Sequence, residues 1–96
     1  MTRIRCRISR DGYSVVSAGH AGSEQTCTAI SAILGALAGW VKNNNKGSFK
    51  LGKGEAIIVF PDSEGAEAVM DMTVIGMQQV QKANPRDVEV EIVYEE

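Results

Sequence analysis

From Thr26 to Val41 the chain carries no charge. Within that run Ile30, Ile33, Leu34, Leu37, Trp40 and Val41 recur at spacings of three and four, which predicts a helix from about Thr26 to Asn43. The positions between them, Ala29, Ala32, Gly35, Ala36, Ala38 and Gly39, are small and uncharged. A helix apolar on nearly every side is buried on nearly every side. Whatever fold the chain adopts must therefore wrap this helix, with part of its surface expected to meet a second subunit.

The flanking segments read as strands. Thr2 to Ser9 alternates, with Ile4, Cys6 and Ile8 on one side and Arg3, Arg5 and Arg7 on the other. Asp11-Gly12 signals a hairpin turn, and Tyr13 to Gly19 returns as an antiparallel partner. After the helix, Asn43-Asn44-Asn45-Lys46-Gly47 forms a polar loop. Ser48 to Leu51 is a short strand, Gly52-Lys53-Gly54 a tight connection, and Ala56 to Phe60 a continuous apolar run of the kind found in central strands. Asp62 or Ser63 caps a second helix, with Glu64 and Glu67 in its first turns. Its buried stripe is Ala66, Val69, Met70, Thr73, Val74, Met77 and Val80, and the Met70, Met72 and Met77 group reads as helix packing. Asn84-Pro85 stops it, and Val88, Val90, Ile92 and Tyr94 face inward from a last strand. The order is ββαββαβ: one α/β (α+β) domain over 1–96, a mixed five-stranded sheet packed by two helices. The arginines of the first strand and Glu89 and Glu91 of the last can pair if those strands are neighbours; solvated charges are the alternative.

Composition narrows the function. Ten Lys and Arg against twelve Asp and Glu leave a net charge of −2, which argues against nucleic-acid binding through the Arg3, Arg5, Arg7 and Arg10 row. No apolar run reaches the roughly 20 residues of a membrane helix. The alternating Met1–Arg7 stretch is not a signal peptide, so a cytoplasmic protein with reduced thiols is expected. One histidine and two cysteines are too few for a tetrahedral zinc site without carboxylates or a second chain, and no metal or other cofactor is expected.

The chemistry concentrates between Ala18 and Ile33. His20, the single histidine, ends the second strand, and Cys27 follows at the start of the helix. Thiolate is the reactive form of cysteine, and either a histidine base or a helix N-terminus favours it. Cys27 at the first or second helical position would have both, with Ser23 or Thr26 capping the helix and free N–H groups of that turn available as an oxyanion hole. The glycines on either side of His20 allow the turn to fold back. The alternative is structural: Cys27 lies on the side of the helix that Ile30 and Leu34 continue, and buried cysteines usually only pack. Cys6, on the inward side of the first strand, reads as core.

Gly19-His20-Ala21-Gly22 and Cys27-Thr28-Ala29-Ile30-Ser31-Ala32 resemble the Gly-His-Ala and Cys-Ala-Ala-Val-Ser-Ala motifs of the ribosomal-processing cysteine protease family, Prp, with its phage and prophage relatives. The resemblance extends over essentially the whole chain. It implies a homodimeric cysteine endopeptidase that trims an N-terminal extension from a large-subunit ribosomal protein or a phage structural protein. Cys27 would be the nucleophile and His20 the general base, with the peptide substrate held against Gly19, Ala21, Gly22 and Ser31. The family carries a longer loop between histidine and cysteine, ending in Gly-x-Asp-Ile-Val; here only Ala21 to Thr26 intervene, and Glu24 is the nearest acid. A non-catalytic dimeric binding or assembly protein of the same fold is the competing reading.

Overall fold

The computed structural model describes residues 1–44 and 46–95. Strands β1 (Thr2–Ile8) and β2 (Gly12–Ala18) precede helix α1 (Glu24–Asn44). Strands β3 (Ser48–Gly52) and β4 (Glu55–Pro61), helix α2 (Ala66–Ala83) and strand β5 (Val88–Tyr94) follow. The element order is the one the sequence predicts. Of the polar loop expected after the first helix, Asn45 lies outside the described residues and Asn43 and Asn44 continue the helix.

The five strands form one sheet in the order β3-β4-β2-β1-β5. β1 runs parallel to β5, and the other three pairings are antiparallel. The registers put Ile4 opposite Ser17 and Cys6 opposite Val15, and set Val15 opposite Ile58, so the inward residues of neighbouring strands share one face. That face is buried under the two helices. Phe60 packs there against Tyr13 and meets the edge of Trp40, at centroid separations of 5.3 and 5.7 Å.

Only one face is covered, and several expectations change as a result. β4 is not apolar on two buried sides. Ala56, Ile58 and Phe60 are buried, whereas Ile57 and Val59 are exposed on the open face. Helix α1 is likewise buried along one stripe only, formed by Thr26, Ile30, Leu34, Leu37, Ala38 and Val41. Ala32, Gly35 and Ala36 face outward, because a single helix layer has nothing beyond it. Met72, two residues on from buried Met70, points away from the sheet, and Tyr94 is exposed at the end of β5.

The start of α2 also departs from expectation. Neither Asp62 nor Ser63 caps it with a side chain. Gly65, with a φ of 85°, precedes the first turn, and the Ala66 N–H donates to the Ser63 carbonyl at 3.0 Å. Asp62 is engaged elsewhere, accepting from the Tyr13 hydroxyl at 3.1 Å. Of the two acids expected in the first turns, Glu67 is there and Glu64 lies ahead of the helix. On the open face the arginine row does pair with acids, Arg5 with Glu91 at 3.5 Å and Arg7 with Glu95 at 3.2 Å. Both pairs are about half exposed, so each contributes at most about 1 kcal/mol.

Candidate active site

The loop between β2 and α1 is built by its hydrogen bonds. The Ser23 Oγ accepts the Thr26 N–H at 3.1 Å, which makes Ser23 the helix cap. The Ser23 and Thr26 hydroxyls meet at 2.7 Å, and the Thr26 hydroxyl donates onward to Asn84 Oδ1 at 3.0 Å. The start of α1 is thus tied to the α2–β5 corner. Thr26 is buried and does not cap.

This geometry corrects the placement of Cys27. The helix begins at Glu24, so Cys27 is its fourth residue rather than its first or second. Its N–H already donates to the Ser23 carbonyl at 3.1 Å. Neither that group nor the Thr26 N–H is free to act as an oxyanion donor, and the N-terminal dipole acts on the sulfur from a full turn away. The Sγ instead donates to the Ala21 carbonyl at 3.8 Å.

His20 is positioned from the other side. Gly19 turns the chain out of β2 with a φ of 96°, and any side chain there would run into the Met1 carbonyl oxygen. The Gly19 N–H donates to the Gly54 carbonyl at 2.9 Å, bracing the turn against the β3–β4 connection. The exposed His20 imidazole rests over Gly54.

His20 and Cys27 line a common pocket of about 80 Å³ at this end of the sheet. Gly19 and Ser31 line it as well. Ala21 reaches the site through its carbonyl, and Gly22 packs against the Asp87 carboxylate, where an added Cβ would come within 2.8 Å of Oδ1. Thr2, Ser17, Gly54 and Glu55 are also among its lining residues, and the sequence singled out none of them as site residues. The glycines of the β3–β4 connection were visible only as a turn. Strand order, which brings that turn beside the end of β2, was needed to show what it faces. Glu55 is the acid at the pocket; Glu24 is exposed and lies off it. Among the described residues no three His, Cys, Asp or Glu side chains gather to hold a metal ion.

Volume helps to decide what such a site can do. Small-molecule sites usually measure about 300–1,000 Å³, so a pocket of about 80 Å³ takes a single group rather than a whole ligand. A larger hollow of about 570 Å³ opens at the opposite end of the sheet beside Tyr13, Phe60 and Pro61, away from both His20 and Cys27. The second thiol is not a rival nucleophile. Cys6 is fully buried in β1, and burial pushes its pKa up to about 11.

No family model and no curated protein sequence matches the chain. Solved structures do. SMU.848 from Streptococcus mutans superposes with a TM-score of 0.80 at 16% identity, covering 99% of both chains. The essential ribosomal processing protease Prp from S. aureus, in complex with a covalently linked product peptide, gives 0.78 at 13% identity over 96% of this chain and 99% of that one. The same protease with a substrate peptide gives 0.77 at 12% identity over the same shares. Identities this low speak for architecture alone, and in architecture this chain has the fold of the ribosomal processing protease Prp.

Proposed function

We propose that this chain is a cysteine endopeptidase of the Prp kind, with Cys27 as nucleophile and His20 as general base. Its substrate would be the N-terminal extension of a large-subunit ribosomal protein or of a phage structural protein, cut in the cytoplasm. The observation that carries the reading is the convergence of His20 and Cys27, from two different elements, on one small pocket. The fold shared with a protease solved with peptide substrate and product supports it.

The chemistry follows from those two side chains. The His20 imidazole takes the thiol proton, and the sulfur attacks the scissile carbonyl carbon. The tetrahedral intermediate collapses to a thioester as the imidazolium protonates the departing amine. Water, deprotonated by the same imidazole, then releases the acid and restores the thiol. The test is the iodoacetamide reactivity of Cys27 against pH, in Cys6→Ala and in Cys6→Ala/His20→Ala. Reactivity that rises well below about pH 8.5, and shifts when His20 is removed, supports the reading.

One observation favours the second reading, a non-catalytic binding or assembly protein. The acceptor for the Cys27 thiol is the Ala21 carbonyl and not the His20 ring. Alkylation indifferent to His20 would select it. Both readings include a homodimer, supported by the outward face of α1. An added Cβ at Gly35 or Gly39 would meet nothing within 4 Å, so the monomer gives no packing reason for either glycine. Each costs about 1 kcal/mol of helix stability relative to alanine, which close approach of a second copy would explain.

A further inference from the structure

β3 is an edge strand that helix α1 touches but does not bury. Its register sets Phe49 opposite Ile58 and Leu51 opposite Ala56. Ile58 and Ala56 are buried, so Phe49 and Leu51 point to the covered side of the sheet, yet they are 40% and 48% exposed. Every residue of the strand is exposed, and its outer backbone row has no neighbouring strand among the described residues. The strand also leads into the candidate site, because Gly52 at its end lines the His20–Cys27 pocket together with Gly54 and Glu55.

An unpaired edge is a template for another extended chain. We propose that β3 receives a substrate peptide as a sixth strand, delivering its backbone to Cys27; this rests on the endopeptidase reading above. The pocket admits one group only, so the length of the substrate has to be recognised outside it. Main-chain pairing with β3 supplies that recognition with little dependence on sequence. Specificity then has a period of two. Every second side chain of the bound segment lies beside Phe49 and Leu51 and is apolar. The intervening ones lie beside Ser48 and Lys50 on the open face and are polar.

The test uses the ¹⁵N-labelled full chain carrying Cys27→Ser, titrated with a synthetic pool of heptapeptides bearing Val, Ile, Leu or Phe at every second position. The expected result is amide shifts across Ser48 to Gly52. N-methylation of one alternate set of peptide amides should weaken binding about tenfold, while methylation of the other set leaves it unchanged. Leu51→Asp, an exposed substitution, should weaken it as well. The proposal is overturned if β3 stays silent up to millimolar peptide, or if both methylated pools bind alike. It is also overturned if the β3 shifts follow protein concentration without peptide, since a second copy would then occupy the edge. Peptide binding at β3 with a His20-indifferent thiol supports the edge and removes the peptidase. A His20-dependent thiol with a silent β3 removes the edge alone.

Discussion

His20 Nε2 occupies the space that a side chain on Gly54 would need, since a Cβ there would lie 2.6 Å from it. The two residues come from different connections, one after β2 and one between β3 and β4, and the Gly19–Gly54 hydrogen bond fixes their spacing.

Gly54→Ala is therefore expected to act twice. The φ of 79° at this position costs an alanine roughly 1 kcal/mol, readable by urea denaturation. The imidazole must also move, so Cys27 alkylation should lose its dependence on His20. A variant that lowers stability while leaving the alkylation profile intact would show that Gly54 serves the turn only.

Cys6 makes stability fall at high pH. Its folded pKa, about 11, lies above the unfolded value of 9.0. The folded state thus holds the thiol proton after the unfolded state has released it. The contribution is complete below about pH 9 and is lost as pH rises towards 11, on the order of 3 kcal/mol in all. Cys6→Ala should flatten urea midpoints between pH 9 and 10. A smaller decline should persist above pH 10, because burial and the Asp62 hydrogen bond also raise the Tyr13 pKa.

Ser23→Ala removes the α1 cap and should cost about 1 kcal/mol. Thr26→Val should cost about 1 kcal/mol, because it removes the donor to the half-buried Asn84 Oδ1. Chemical denaturation measures both. If the network positions the thiol as well as the helix, Thr26→Val also changes the Cys27 alkylation rate.

Gly35→Glu places a charge on the neutral outward face of α1. For the proposed homodimer, sedimentation should show a dimeric wild type and a monomeric variant with unchanged circular dichroism. A wild type that sediments as a monomer overturns the dimer, and a variant that stays dimeric moves the interface elsewhere.

Much of this architecture was readable from periodicity. The alternation of Ile4, Cys6 and Ile8 against the arginines gave both β1 and its buried face, and the stripe from Ile30 to Val41 gave α1. What misled was composition read without layer count. Ile57 and Val59 look like the interior of a central strand, and the small residues of α1 look buried, but two helices can cover only one side of five strands. In the site, His20 and Cys27 were visible as residue types, while the position of the helix start was not. Ser23 and Thr26 are both competent caps, and the choice between them shifts Cys27 by most of a turn relative to the free N–H groups. Gly54 and Glu55 could be found only after β4 was paired with β2.

The parallel pairing of β1 with β5 has a consequence for the order of assembly. Thr2 forms part of the pocket wall, and its N–H donates to the carbonyl of Asp87, just ahead of β5. The wall contributed by the first strand is held by the residue that leads into the fifth. A nascent chain lacking β5 can close the β1–β2 hairpin early but leaves the other side of β1 unpaired, and such distant pairings form slowly. One wall of the His20–Cys27 pocket therefore depends on a pairing between the two ends of the domain, and not on the local hairpin alone.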